Sequence, residues 1–91
     1  MADVIVTLKI MPESVEVDLG KIKDKAVKKI NDFGGEVGKA EEVPVAFGLK
    51  SLILIFIMDE KKGSTEKLED EISDIEGVQS VEVTDVRRAI G

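Results

Sequence analysis

The side chains that most often carry acid-base or nucleophilic chemistry are missing from this sequence. Its 91 residues include no histidine and no cysteine, so a group that titrates near neutral pH could only be a carboxylate or a lysine in a special pocket. The carboxylates form short runs, which are Glu41-Glu42, Asp59-Glu60 and Glu69-Asp70-Glu71. None of these runs has the spacing of a calcium loop or of a transition-metal site. We therefore predict no catalytic residue, no metal site and no bound cofactor.

The glycine-rich stretch at residues 34–38 could be mistaken for a phosphate-binding loop. It follows a predicted helix and enters a predicted strand, which is the reverse of the order in a dinucleotide-binding motif. The serines lack an imidazole partner, and none occurs in a nucleophile-elbow motif. An enzyme that used Lys50 or the acidic loop at residues 59–63 would need a pocket that the sequence does not indicate. The sequence therefore favours a protein that binds over one that catalyses a reaction.

Charge is unevenly distributed along the chain. Thirteen basic and nineteen acidic side chains give a net charge of −6, which disfavours a nucleic acid partner unless the basic groups are segregated. Residues 18–33 carry five lysines and three aspartates, whereas residues 66–76 carry six carboxylates and one lysine. These segments could be neighbouring solvated helices whose charges attract weakly, or a polarised surface that orients a partner.

The first half of the sequence predicts a strand followed by a helix. Val4, Val6, Leu8 and Ile10 share one face while Thr7 and Lys9 point away, which is typical of a half-buried strand. This strand stops at Pro12. From Asp18, a plausible N-cap, the apolar residues recur three or four apart, as one face of a helix requires. That apolar face consists of Leu19, Ile22, Ala26, Ile30 and Phe33. Gly34-Gly35 should end the helix.

A hairpin should follow. Residues 36–45 include Gly38 and Pro44, so we expect an edge strand, and a turn at residues 46–49 leads into seven consecutive apolar residues at 52–58. Side chains alternate along this apolar strand. Even-numbered residues from Leu52 to Met58 should face the core, and the opposite face should carry Ser51, Ile53, Ile55 and Ile57.

The remainder predicts a second helix and a last strand. After a polar loop at residues 59–63, Ser64 should cap a helix that buries Leu68, Ile72 and Ile75 and is closed by Gly77. Val81 and Val83 then alternate with polar residues in a strand that runs to about Arg87.

The element order β-α-β-β-α-β predicts an α+β fold of the ferredoxin-like type, in one domain at residues 1–91. The first and third strands should be central in a four-stranded antiparallel sheet, with both helices on one face. The isoleucines on the open face could dock a partner, pack against long neighbouring side chains, or pair two copies of the chain. RNA-recognition modules of this fold stack bases on aromatics of the central strands, where this sequence offers only Phe56.

The sequence predicts an intracellular protein. Its N-terminal residues lack a basic region followed by an apolar stretch, and its longest apolar run is far shorter than a membrane span. The absence of cysteine fits a reducing compartment. We therefore expect a soluble, cytoplasmic protein with no membrane partner.

The stretch "VPVAFGLKSL" at residues 43–52 resembles the beta subunit of translation elongation factor 1, in its compact archaeal form. The resemblance continues, in the order of that family, over nearly the whole chain. The further matching stretches are "VIVTLKIMP" at 4–12, "DLGKIK" at 18–23, "DEKKGS" at 59–64 and "VQSVEVTDVRR" at 78–88.

This resemblance implies a guanine nucleotide exchange factor. Members of the family bind the GTPase elongation factor 1 alpha, loosen its hold on GDP and magnesium, and allow GTP to enter. By analogy, the partner contact lies at the hairpin tip, residues 44–51, and at the C-terminal end of the chain. The residues that the resemblance assigns to it are Pro44, Phe47, Gly48, Leu49, Lys50, Arg87 and Arg88. The alternative for Phe47 is that its ring folds back onto the core, and the alternative for Arg87 and Arg88 is a solvated tail.

Two features of eukaryotic members are not carried over. Those members have a lysine just before their last residue, thought to intrude at the magnesium and phosphate site, where this sequence has Ile90. Either Arg87 or Arg88 competes for a phosphate or a carboxylate, or the factor acts mainly by displacing segments of the GTPase. An aromatic residue that precedes the proline motif in eukaryotic members appears here as Glu42.

A second hypothesis is a ligand-sensing or homo-oligomerisation module of the same fold. In that case Ile53, Ile55 and Ile57 would pair two subunits face to face. The exchange-factor hypothesis instead predicts a monomer when the protein is free of its partner.

Overall fold

The strands and helices follow the predicted order. The computed structural model describes residues 3–89. Its elements are β1 (Asp3–Pro12), α1 (Leu19–Phe33), β2 (Glu36–Pro44), β3 (Lys50–Asp59), a 3-10 turn (Glu60–Lys62), α2 (Glu66–Ser73) and β4 (Val78–Arg88). All neighbouring strands are antiparallel, in the order β2-β3-β1-β4. This arrangement confirms the ferredoxin-like α+β fold, with β1 and β3 at the centre of the sheet.

The core lies between the sheet and the two helices. It contains the alternate residues of β3 that the sequence assigned to it, from Leu52 to Met58, and their neighbours on β1, from Val6 to Ile10. The helices close it with Leu19, Ile22, Ala26 and Ile30 from α1 and with Leu68 and Ile72 from α2. The predicted orientation of the apolar strand is therefore confirmed.

Both ends of α1 form as the sequence predicts. The Asp18 carboxylate accepts a hydrogen bond from the Gly20 N–H at 2.9 Å, which satisfies one of the free donors of the first turn. At the other end Gly34 has a φ of 104°, in the left-handed region that glycine enters without a Cβ penalty. Its N–H donates to the Asn31 carbonyl oxygen at 3.0 Å.

The predicted limits of α2 are wrong at both ends. Thr65, and not Ser64, occupies the N-cap position, although the Ser64 hydroxyl accepts from the Glu66 N–H at 3.1 Å. The helix ends at Ser73, four residues before Gly77. The chain continues in tight turns closed by hydrogen bonds from Ile75 N–H to Ile72 and from Val78 N–H to Ile75. Ile75 is still buried, so the apolar periodicity outlasts the helix.

Two smaller expectations also differ from the structure. The segment after β3, expected as loop, contains the 3-10 turn, in which the Asp59 carboxylate accepts from the Lys61 N–H at 2.9 Å. Ser51, expected on the open face, is only 1% exposed, and its hydroxyl donates to the Val43 carbonyl oxygen at 3.3 Å. The Ser51 side chain is small, and its hydroxyl bonds to the adjacent edge strand, so neighbouring residues can cover it.

Both edge strands contain an irregularity. In β2 the register shifts around Gly38, as expected for an edge. In β4 the register shifts at two places. Thr7 pairs with Asp85 while Leu8 pairs with Val83, which leaves Thr84 as an extra residue, and a second shift lies between Met11 and Pro12. Such a bulge reverses the alternation of side chains beyond it.

The open face carries an apolar column on β3 with a charged column beside it on β2. Ile53 and Ile55 are half-buried, and Ile57 is 41% exposed. Their partners on the edge strand β2 are Glu41, Lys39 and Glu36, whose stems can cover the isoleucines. The structure therefore favours packing against long side chains as the interpretation of this apolar column.

The segments of opposite charge lie on adjacent helices, but none of the ion pairs within residues 3–89 joins α1 to α2. Across the same residues, no helix has both the length and the apolar character to cross a membrane.

Candidate partner-binding site

The tip of the β2–β3 hairpin is a tight turn. Leu49 N–H donates to the Ala46 carbonyl oxygen at 2.9 Å, and Val45 N–H donates to the Leu49 carbonyl oxygen at 2.8 Å. The two central residues, Phe47 and Gly48, have φ values of 54° and 80°. Positive φ at both central residues is what a type I′ turn requires, and this turn matches the twist of a hairpin. The tip is thus a hydrogen-bonded projection of the sheet.

Phe47 is presented entirely to solvent. Its side chain is 98% exposed, so the alternative that the ring folds back onto the core is wrong. Phe47 is also the one residue other than glycine with a positive φ in residues 3–89. A phenylalanine in this region is sterically disfavoured. An exposed aromatic ring on a strained turn contributes nothing evident to folding, which is typical of a residue kept for binding.

The other predicted tip residues differ in their exposure to solvent. Pro44 ends β2 and pairs with Lys50, the first residue of β3, and both are exposed. Lys50 has the same alternation as Leu52, so both residues point to the helical side of the sheet. Within residues 3–89 Lys50 belongs to none of the ion pairs. Leu49 is half-buried, and only part of its side chain is accessible to a partner.

A cleft of about 300 Å³ separates the hairpin from the segment that joins β1 to α1. Gly48 and Lys50 line one side, and Ser14, Val15 and Asp18 line the other. Val15 is 62% exposed, and sequence reasoning missed it because the loop around it is polar and irregular. The available signal was an apolar side chain at a position where no strand or helix buries one.

Arg87 and Arg88 lie on opposite faces of the sheet. Arg87 pairs with Ile5 on the open face, and its Nε lies 2.9 Å from Asp85 Oδ2. Arg88 pairs with Val4 on the helical face, and its Nη2 lies 2.6 Å from Glu60 Oε1 in the 3-10 turn. Both arginines are thus ion-paired within the chain, and neither is an unstructured tail residue. Ile90, which stands in place of the eukaryotic lysine, lies outside the described residues.

The structure does not bring the arginines to the hairpin tip. Lys50 begins β3 at the tip, and Asp59 ends β3 beside Asp3 of β1, the end at which β4 also finishes. Nine residue steps of roughly 3.3 Å separate the two ends by about 30 Å. The predicted residues therefore form two patches, one at each end of the sheet.

No cluster of carboxylates suited to holding a metal ion occurs in the part of the chain from 3 to 89. The hairpin tip presents an exposed aromatic ring and an exposed lysine. The opposite end presents two ion pairs whose acidic members a partner could replace. These groups can bind another surface.

The solved structures that the chain is similar to share its fold. The ACT domain from GTP pyrophosphokinase of Chlorobium tepidum superposes with a TM-score of 0.61 at 17% identity, covering 89% of this chain and 97% of that one. The C-terminal domain of the MgtC protein from Mycobacterium tuberculosis gives a TM-score of 0.60 at 16% identity, covering 98% and 88%. At such identities the likeness supports the fold alone.

The sequence comparisons are more specific. The model of the EF-1 guanine nucleotide exchange domain matches residues 5–89. Elongation factor 1-beta of Methanothermobacter thermautotrophicus is 46% identical over 88 residues, covering 97% of this chain and 98% of that protein. Elongation factor 1-beta of Staphylothermus marinus is 44% identical over 89 residues, covering 97% and 98%. The chain therefore belongs to the EF-1 guanine nucleotide exchange domain family, and it is a nucleotide exchange factor of translation elongation.

Proposed function

We propose that this protein promotes GDP release and GTP reloading on the GTPase elongation factor 1 alpha. Membership of the exchange-domain family supports a GTPase partner. The observation that carries the proposal is Phe47, a fully exposed aromatic ring on a strained, hydrogen-bonded turn. Aromatic anchors of this kind dominate the binding energy of protein interfaces.

Exchange needs only a surface that prefers one state of the GTPase. If the protein binds the nucleotide-free GTPase more tightly than the GDP-bound form, linkage requires that it weaken GDP binding by the same factor. Each ~1.4 kcal/mol of that preference weakens GDP tenfold. The protein therefore acts without covalent catalysis and without a cofactor of its own.

We further propose that the GTPase contacts both ends of the sheet. The hairpin tip supplies Phe47, Lys50 and the exposed part of Leu49. The opposite end supplies Arg87 and Arg88, which exchange Asp85 and Glu60 for a phosphate or a carboxylate of the partner. A GTPase held at two places about 30 Å apart is fixed in orientation as well as bound. By distorting the GTPase between these two contacts, the exchange factor would displace the segments of the GTPase that surround the bound nucleotide.

The remaining features follow from this role. Residues 1–91 act as one exchange domain, the free protein is a monomer, and it works in the cytoplasm where translation occurs. Membranes and nucleic acids are not partners in this proposal.

The direct test is release of labelled GDP from elongation factor 1 alpha. A substoichiometric amount of this protein should accelerate the release many-fold, and excess unlabelled GTP should complete the exchange. If the release rate does not change at any concentration of the protein, the proposed function is wrong.

A further inference from the structure

Exposed apolar side chains are concentrated at the hairpin end of the molecule. Of the six large apolar residues exposed within residues 3–89, Val43, Val45 and Phe47 belong to the hairpin, and Val15 lies beside it. The other two are Ile57 on the open face and Val86 on β4. Contiguous exposed apolar side chains with a polar rim mark interaction sites, whereas isolated ones need no explanation.

Val15 belongs to the same surface as the hairpin tip. A Cβ atom added to Gly48 would lie 3.6 Å from Val15 Cγ1, which is ordinary van der Waals contact. The loop at residues 13–18 therefore lies close to the turn that carries Phe47, and the cleft of about 300 Å³ lies between them. That volume is at the lower limit of small-molecule sites, and it suits side chains inserted by another protein.

Local hydrogen bonds hold Val15 in its exposed position. Val17 N–H donates to the Ser14 carbonyl oxygen at 3.3 Å, and Glu13 N–H donates to the Gly77 carbonyl oxygen at 2.8 Å. The Asp18 cap fixes the end of the loop at the start of α1. Because these bonds flank Val15 on both sides, little conformational entropy is lost when a partner covers it.

The rim of this surface is acidic. Asp18 and Glu42 line the cleft, and Glu16 is exposed next to Val15 in the loop. Lys50 is the one basic side chain among the residues that line the cleft. A complementary partner surface is therefore apolar at its centre and basic at its edge.

We infer that the β1–α1 loop is a second element of the GTPase contact, in which Val15 and the hairpin tip together receive an apolar patch bordered by lysine or arginine side chains. This inference rests on the proposed function, and it specifies the chemistry of the GTPase surface that binds at the hairpin end. Val15 acts as an apolar contact, and Glu16 acts as part of the charged border.

The first experiment compares Val15→Ser with Val27→Ser by calorimetric titration of nucleotide-free elongation factor 1 alpha. The two variants make the same change, but Val27 is a half-buried residue of α1 that does not line the cleft. We expect the Kd to rise about fivefold or more for Val15→Ser and to stay within about twofold for Val27→Ser. An unchanged Kd for Val15→Ser, or a larger rise for Val27→Ser, would overturn the inference.

The second experiment tests the border without altering an apolar group. Glu16→Lys and Glu71→Lys make the same change of charge, on the loop and on α2 respectively. At physiological ionic strength charges are screened beyond about 8 Å, so only a residue at the contact should matter. We expect Glu16→Lys to slow association about tenfold and Glu71→Lys to change it less than twofold. Equal effects of the two variants would contradict a basic partner edge at this loop.

Titration of the wild-type protein distinguishes failure of the proposed function from failure of the inference about the loop. If the wild-type protein does not bind the emptied GTPase, the proposed function fails and the inference fails with it. If the wild type binds and both loop variants bind equally well, the inference alone is wrong. Thermal unfolding of each variant shows whether the fold is retained, and Glu16→Lys, which removes no apolar contact, still gives a decision if Val15→Ser is unstable.

Discussion

Glu60 Oε1 lies 2.6 Å from Arg88 Nη2, which links the 3-10 turn after β3 to the end of β4. Both side chains are largely exposed, at 44% and 66%. A pair with this exposure contributes little to stability, commonly below about 1 kcal/mol. In the proposed contact, Arg88 would have to leave Glu60 before it could bind a phosphate or a carboxylate of the GTPase.

We predict that Glu60→Gln strengthens binding to the emptied GTPase by roughly two- to fivefold, because Arg88 no longer exchanges one charged partner for another. Unfolding in urea should show a loss below about 1 kcal/mol. Glu41→Gln is the matched control, since the Lys39–Glu41 pair has a similar length of 3.0 Å and similar exposures of 60% and 46%. Weaker binding of Glu60→Gln in calorimetry would mean that Arg88 does not act as a free cation at the interface.

Phe47→Asn should change stability and exchange in opposite directions. Asparagine tolerates a positive φ better than phenylalanine, and a ring that is 98% exposed loses no packing. We expect the unfolding free energy to rise by about 0.5–1 kcal/mol and GDP release to slow at least tenfold. Urea unfolding and the labelled-GDP assay measure the two effects. A variant that is more stable and exchanges as fast as the wild type would show that Phe47 does not contribute to the contact.

Lys50→Ala should weaken exchange without affecting the fold. Lys50 is exposed and makes none of the ion pairs among residues 3–89, so its removal should change the unfolding free energy by less than about 0.5 kcal/mol. Lys28→Ala removes the same charge from the exposed side of α1. We predict that GDP release slows about tenfold for Lys50→Ala alone. Equal slowing by both variants would indicate a general effect of net charge.

Adjacent residues of β3 should differ sharply in their contribution to stability. Leu54 is fully buried under the helices, whereas Ile55 is half-buried on the open face. Leu54→Ala should cost about 2–5 kcal/mol because it removes core contacts and leaves a cavity. Ile55→Ala should cost less than half as much, since its cross-strand neighbours on the open face are Lys39 and Thr7. Comparable losses in urea unfolding would contradict an open face and would indicate that a second molecule covers it.

Gly34 at the end of α1 and Gly38 in β2 should respond differently to replacement by alanine. Gly34 has a φ of 104°, and a Cβ there would also come within 2.6 Å of Lys62 Cε. Gly34→Ala should therefore cost about 1–2 kcal/mol, mostly from backbone strain, because the lysine end can move aside. At Gly38 the nearest atom to a new Cβ is the Ile55 carbonyl oxygen at 4.0 Å. Gly38→Ala should stay within about 0.5 kcal/mol, and a larger loss would show that the edge bulge needs glycine.

Local patterns predicted most of this fold because they depend on near neighbours. The 3.6-residue period of α1 and its caps at Asp18 and Gly34 involve residues within one or two turns. The alternation in β3 depends only on which side chains share a face. The errors at α2 arose where this locality fails, since the apolar spacing from Leu68 to Ile75 continues through a turn that is no longer helical.

The candidate site was predictable in part. The tip residues follow from the glycine, the proline and the family resemblance, and the antiparallel order already implies that β4 ends far from the tip. Alternation along a strand already implied that Arg87 and Arg88 face opposite sides. Nothing in the sequence indicated that Thr84 would bulge, and the bulge decides that Arg87 lies on the open face and Arg88 on the helical face. A bulge depends on how two strands align over a separation of more than 70 residues, which short-range patterns do not record.

By itself, the sequence determined which residues are apolar, the order and type of the elements, and that no imidazole or thiol is present, because these are properties of composition and of short-range periodicity. Tertiary structure alone decided that Val15 lies beside Gly48, that Glu60 pairs with Arg88, and that Phe47 remains in water. Each of these contacts or exposures depends on long-range strand register and on which loops share an end of the sheet. Those relationships arise only when the whole chain packs around one core.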